Sequence, residues 1–577
     1  MTARRVLHSL LVLAAGALSA CSLDSRARSG AADVVYRGGV ILTMTDTAPR
    51  VEALAVRDGK IVAVGPWTQV EKLAGPKTQT VDLQGRTLLP GFVDSHGHVY
   101  GVGLQAASAN LLPAPDGEGR DIAALQRLLT AWDRSAQSPL KKHGWIVGFG
   151  YDDSQLKEKR HPNRSDLDRV SKDKPVLAIH QSGHLGAANS RALQLAGLTA
   201  STPDPRGGVF RRRAGSREPD GVMEELAFVS VLQTLLGRFD PEMHQALVRA
   251  GADLVARYGF TTAQEGRLTG KPVLDAFVAA AQASALPVDV VAYPDILSAR
   301  TLIAAPWLSR DYAGGFRVGG GKLAIDGSPQ GKTAWLTRPY FVPPPGQNRR
   351  YAGYPTATRE QVMDAVAYAF AQKIQFLTHA NGDAASDLLL EAVRTSAKTY
   401  PDYRETRPVL IHGQVLREDQ VDDLKELEVF PSLFPMHTFY WGDYYRASVL
   451  GPERSQVISP TGWVREREMM FGTHHDAPVA LPDAMRVLSA TVTRRTRSGY
   501  VLGPAQRVDT LTALKAMTIW PAWQHFEEKS KGSLEVGKLA DLVILSADPT
   551  AVDPPQIEKI QVLETVKAGR SIYRRRD

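Results

Sequence analysis

The chain has 577 residues, 43% of them hydrophobic and 23% charged, with 49 Gly, 36 Pro and a single Cys. That composition excludes a small disulfide-stapled module, a collagen-like chain and a largely disordered one, and it leaves room for one large domain with a satellite. One Cys excludes any thiolate-only zinc or iron–sulfur site and any internal disulfide, and a formal charge of +8 without a recognition motif argues against a nucleic-acid partner.

The N-terminus carries Arg4 and Arg5, then an apolar stretch from Leu10 to Ala20 and then Cys21. Such a stretch is shorter than the roughly 20 residues that span a bilayer, so residues 1–20 read as a secretory signal. The tetrapeptide Leu18-Ser19-Ala20-Cys21 resembles the lipobox of bacterial lipoproteins. That resemblance implies lipidation of Cys21 and anchoring in the cell envelope, with Ser22 pointing to the periplasmic side of an outer membrane. Small and polar residues over 21–31 suit a tether.

Residues 32–88 read as short strands with turns, among which Asp58-Gly59 is a hairpin signal, and residues 529–577 read the same way. Between them, β-type apolar runs alternate with amphipathic helices such as 241–258 and the stretch capped by Thr358 and Gln361. Candidate central strands fall at 88–98, 259–265, 287–294, 319–327, 374–379, 408–413, 429–434 and 469–476. Eight parallel β/α units predict a TIM-type α/β barrel over 89–528 with its site at the C-terminal strand ends. The stretch from about 99 to 240 is too long for one loop and predicts an inserted subdomain with strands near 145–151 and 175–180.

The strongest local signal is Pro90-Gly-Phe-Val-Asp-Ser-His96-Gly-His98. Residues i and i+2 of a strand share a face, so His96 and His98 are expected to project together as ligands of one metal. Lys322, His379, His412 and Asp476 follow in chain order on later candidate strands, all but Lys322 at the C-terminal end. A repeated polar residue at that position is hard to explain as packing, since each would leave a buried polar group to satisfy. His143 and His161 lack such a context and read as surface residues.

These residues, with Ser182-Gly-His-Leu-Gly-Ala-Ala-Asn-Ser190, Pro219-Asp-Gly-Val-Met-Glu-Glu225, Asp476–Val479 and Gly537-Lys-Leu-Ala-Asp-Leu-Val543, resemble the amidohydrolase superfamily, in its amidohydrolase 3 branch of YtcJ-like proteins and N-substituted formamide deformylase. The resemblance implies a (β/α)8 barrel, a small β-sandwich assembled from 32–88 and 529–577, and one or two divalent ions, usually zinc. It implies that His96, His98 and Asp476 bind one ion and that His379 and His412 bind the second. Lys322 stands where superfamily members often carry a carbamylated lysine; the alternatives are an ordinary Lys paired with Asp326, and Glu225 as the carboxylate ligand.

The implied activity is hydrolysis of a C–N bond in a small-molecule amide or N-acyl compound, with Asp476 moving the proton. Ester, lactone or phosphoester hydrolysis is the alternative chemistry, and a silent metal-binding lipoprotein the alternative class. His184, His437 and His474 are candidates for stabilising an oxyanion, with His475 behind them. Trp441 lies in an aromatic segment, 434–445, expected as a loop walling the barrel mouth, and the Pro-rich run 338–355 is a candidate lid. Arg494, Arg495 and Arg497 read as a solvated helix face or as partners of a substrate carboxylate, and a homodimer stays open.

Overall fold

The computed structural model describes residues 30–576, so the signal segment, Cys21 and most of the tether lie outside the described residues. Eight parallel strands follow one another in chain order. Phe92–Val93 pairs with Phe260–Leu268, which pairs with Asp289–Pro294, which in turn pairs with Phe316–Val318. A second arc runs from Gly320–Ala324 through Gln375–Ala380, Val409–His412 and Phe430–Leu433 to Gly472–Thr473.

The two arcs are joined on both sides. The fourth strand is interrupted at Gly319, which still donates to the Ala292 carbonyl at 2.9 Å, and Lys322 bridges in parallel to Asp295. Across the other seam Asp476 N–H donates to His96 O at 3.2 Å and His98 N–H to Ala477 O at 2.8 Å. The result is a closed (β/α)8 barrel, and its last seam is made by residues of the candidate site.

The expected strand 88–98 is two elements. Thr87–Pro90 pairs antiparallel with Leu542–Leu545 in a different sheet, and only Phe92–Val93 enters the barrel. The break falls at Gly91, where a Cβ would run into the Thr261 side chain. His96 and His98 therefore lie beyond the strand end, in a bend and a single bridge residue, so strand alternation does not orient them. His98 instead starts the helix Val99–Ala106, which docks on Pro241–Arg257 at backbone contact: a Cβ on Gly103 would strike Leu247 O, and one on Gly251 would strike Val99 O. The helix Pro241–Arg257 begins where Asp240 accepts from Met243 N–H at 2.7 Å.

The two ends of the described chain build one eight-stranded sheet, in which the strand Leu542–Leu545 lies beside Thr87–Pro90 and Val34–Leu42 beside Arg50–Arg57. The sheet curls until Ile61 donates to Lys538 O at 2.9 Å and accepts from Gly537 N–H at 2.8 Å. Its enclosed face packs Tyr36, Ile41, Leu54, Leu88, Leu542 and Ile544. Between the first and second barrel strands the chain inserts a six-stranded sheet built from residues 109–225, with Val176–His180 and Leu185–Ala188 at its centre and Ile146–Tyr151 beside the edge strand Ala109–Asn110.

The aromatic segment is mostly helix, Met436–Tyr444, and not a loop. Arg494 is fully buried and donates to the carbonyls of Leu502, Ser459 and Ile458, which assigns it to holding loops together. His161 is also buried, against Tyr151, contrary to its surface reading.

Candidate metal centre

His96, His98, Lys322, His379, His412 and Asp476 line one cavity of about 130 Å³, together with His184 and Glu225. Backbone geometry aims several of them: His412, Asp476 and Glu225 all have left-handed φ, at 76°, 51° and 49°. Non-glycine residues pay for that conformation, and it persists where surrounding structure over-determines it.

The donor atoms converge. His96 Nε2 lies 3.4 Å and His98 Nε2 3.2 Å from Asp476 Oδ1, and His412 Nε2 lies 3.9 Å from Asp476 Oδ2. His412 Nε2 is 3.0 Å from His379 Nδ1, and Lys322 Nζ is 3.0 Å from His96 Nε2. His96, His412 and Asp476 each offer one atom within 4.8 Å of the others, close enough to share an ion.

Residues outside this set fix which nitrogen faces inward. Gln264 Oε1 stands 2.6 Å from His96 Nδ1, so Nδ1 carries the proton and Nε2 presents its lone pair. The carbonyl of Gly327 lies 3.2 Å from His379 Nε2 and takes its proton, leaving Nδ1 free. Glu265 Oε1 lies 3.9 Å from His98 Nδ1. Gln264 and Glu265 sit late in the buried strand Phe260–Leu268, where two polar residues ending an apolar run are the signal the sequence reading passed over.

The electrostatics suit a cation. Burial holds His96, His379 and His412 well below the ordinary histidine value, so all three are neutral at pH 7 and can offer a lone pair. Burial, reinforced by Arg267, pushes the Lys322 ammonium down to about 7 against the pull of Asp476. Whichever tautomer His412 adopts, one ring nitrogen stays unpaired in the protein interior: Nδ1 has no partner, and Nε2 faces the His379 lone pair. Asp476 Oδ1 also lacks a hydrogen-bond donor. A divalent ion would satisfy these orphaned atoms, so the donor set fits one.

The alternative partner for Lys322 does not hold. Asp326 accepts backbone N–H groups from Trp335, Asn381 and Gly382 and lies 3.5 Å from His379 Nε2, while burial raises its pKa to about 7. Glu225 is engaged with His184, its Oε2 at 2.8 Å from Nδ1. Burial opposes charge on that imidazole, yet Glu225 beside it wins and raises its pKa.

Three expected site residues fall elsewhere. His474 lies behind the donors, its ring 5.3 Å from His96 and 5.1 Å from His412, stacked on Phe434, with neither nitrogen bonded. His437 faces Tyr445 at 2.7 Å, and the buried indole of Trp441 donates to Asp152 at 2.8 Å, so neither lines this cavity. The helix they occupy turns them toward the inserted sheet.

A second His/Asp group, Asp152, Asp153 and His180, also brings ligand atoms together. Its histidine and the Asp152 carboxylate are already engaged. Ser182 N–H donates to His180 Nδ1 at 3.1 Å, so His180 Nε2 bears the proton and gives it to Asp153 at 3.1 Å. Asp152 accepts from Ser154 and Trp441.

Residues 79–573 match the amidohydrolase family. The putative amidohydrolase YtcJ of Bacillus subtilis (strain 168) is 27% identical over 550 residues, covering 93% of this chain and 99% of that protein. N-substituted formamide deformylase of Arthrobacter pascens is 25% identical over 539 residues, or 91% and 95% of the two chains. Among solved structures, an uncharacterized metal-dependent hydrolase from Pyrococcus horikoshii OT3 shares the fold at a TM-score of 0.70 and 23% identity, over 90% of this chain and 99% of that one. With the family match spanning most of its length, the chain belongs to the amidohydrolase family and is a metal-dependent hydrolase.

Proposed function

We propose that the protein hydrolyses a C–N bond, an amide or N-acyl group, in a small molecule. The observation that carries this reading is the buried Asp476 carboxylate, set 3.2 to 3.4 Å from two metal-type histidines with one oxygen left unbonded. His96, His98 and Asp476 would hold one divalent ion of the zinc type and His379 and His412 a second. Held by these residues, such an ion would supply an acidified water, with a pKa near 7, and a Lewis acid for the scissile carbonyl.

Asp476 takes the proton released as water attacks the carbonyl carbon and returns it to the departing nitrogen, the step an amide needs and an ester does not. His184, kept partly protonated by Glu225, donates to the oxygen that gains charge. Arg267 lines the same cavity and adds positive potential. Lys322, whose ammonium burial pushes down to about 7, could as a neutral amine add CO2 and release a proton to become an anionic carbamate ligand. The intact mass of native protein should then exceed the sequence mass by one CO2; a mass without it favours a one-ion site or Glu225.

Turnover of a metal-loaded panel of amides, N-acyl amino acids and esters tests the whole reading. Amides or N-acyl compounds should exceed esters at least tenfold in kcat/KM, and turnover confined to esters overturns the C–N assignment. We also propose that Cys21 is lipidated and holds the enzyme at the cell envelope. Mass analysis of the mature N-terminus checks this: an unmodified Cys21, or cleavage elsewhere, removes the anchor.

A further inference from the structure

A second and larger cavity, about 640 Å³, opens between the inserted sheet, the loop that follows the fourth barrel strand and the helix that follows the seventh. It shares no lining residue with the metal centre, although the two are close in the chain. Thr333 donates to Glu225 on the metal side of that loop, while Gln330 to Lys332 face the larger cavity.

Most of its charges are already paired. Arg211 meets Glu224 at 2.6 Å, Arg160 meets Asp166 at 2.6 Å, and Asp153 receives the His180 N–H. Lys159, which is exposed, donates to Ser154 O at 2.6 Å, and Lys332 is the buried cation of the lining without a paired carboxylate among the described residues. Its side chain is nine-tenths buried, with the residue 8% exposed, and its Nζ donates only to Val342 O and Ser448 Oγ, each at 2.8 Å. Both are neutral, and among the described residues no carboxylate pairs with it. A left-handed φ of 56° at Lys332 holds the chain in this unusual turn. Burial without a directly paired counter-charge is costly, and it pushes this ammonium down to about 8 against the more distant pull of the Asp153 carboxylate on the same cavity.

The lining around the lysine includes apolar residues, Val342, Pro343 to Pro345 and Ala447, with the Tyr444 ring centre 5.5 Å from Nζ. A volume of this size suits a small organic molecule, and the wall suits its hydrocarbon part. We propose that this cavity binds a small molecule bearing a carboxylate on an apolar body, with Lys332 as the missing counter-ion. The proposal goes beyond the hydrolytic reading and stands without it.

Its test is a direct binding measurement on the full chain, using probes without a C–N bond: 4-phenylbutyrate against 4-phenylbutanol, by calorimetry at pH 7. The acid should bind at least tenfold more tightly than the alcohol, and Lys332→Met should erase the difference while Lys332→Arg keeps it. Because Lys332→Met changes a buried residue, the exposed rim residue Ala447→Trp gives a second check. It should block both probes in a folded protein. Equal affinity of acid and alcohol for the wild type, or an undiminished preference in Lys332→Met, overturns the proposal. Competition then separates the sources: phenylbutyrate raises the apparent KM if the carboxylate belongs to the substrate and leaves it unchanged if a separate metabolite binds.

Discussion

Two clusters of histidine and aspartate lie at strand ends in this molecule, and they look alike by composition. In the barrel, His96, His379 and His412 have one nitrogen held from behind or left free, and Asp476 keeps an unbonded oxygen. In the inserted sheet, His180 accepts from Ser182 and donates to Asp153, and Asp152 is filled by Ser154 and Trp441. The first cluster is short of partners and the second is complete. Metal-binding potential thus resides in the lone pairs that the protein leaves unspent, and residue type alone does not reveal it.

Stripping metal with a chelator is the largest test of that contrast. Activity should fall below detection and return with one to two equivalents of zinc, all of it lost from variants of the barrel cluster. Retention of metal after His96→Ala and His412→Ala together would assign it elsewhere. Next in size, Asp476→Asn should lower kcat by about 10²- to 10⁴-fold, the range for a lost proton-transfer group, with metal content measured by atomic emission largely preserved. By contrast Asp153→Asn should leave metal content and kcat alone and cost roughly 1–3 kcal/mol in urea unfolding, the penalty for disrupting a partly buried, hydrogen-bonded carboxylate.

The last test concerns pH and leaves activity at neutral pH unchanged. Burial holds His161, which lies beside the second cluster, down at about 3, against about 6.5 in an unfolded chain. The unfolded chain therefore takes up a proton that the folded one refuses. The stability contributed by neutral His161 is full above pH 6.5 and is lost as pH falls toward 3, with a slope of up to about 1.4 kcal/mol per pH unit. His161→Gln should flatten that part of the unfolding profile by about one proton; an identical profile would show that His161 is not held neutral.

The barrel was legible because its strands are apolar runs separated by helical periodicity, and the site because polar residues end those runs. The order His96, His98, His379, His412, Asp476 needed no side-chain geometry to be noticed. Local irregularity was not legible. Gly91 splits one apolar run between two sheets, because a single pattern of hydrophobicity serves either one. His96 and His98 do come together, with ring centres 4.9 Å apart, but a bend and not a pleat brings them there. Trp441 and His437 sit in a segment whose aromatics mark a buried helix as readily as a binding wall, and only the inserted sheet against it decides. Gln264 and Glu265 were missed because their meaning depends on a histidine 168 residues away in sequence.

The pairing of Thr87–Pro90 with Leu542–Leu545 makes the approach to the candidate site depend on a segment far along the chain. Gly91 N–H donates to Asp541 O at 2.9 Å, so the residues leading into His96 are clamped by a segment that follows every candidate ligand in the sequence. Contacts of such long sequence separation carry a large loop-closure cost and are slow to form. Until that strand docks, the chain carries its candidate ligands without the sheet that sets them. A chain cut short before Leu542 keeps each of those residues and still lacks the strand that fixes the approach to His96 and His98.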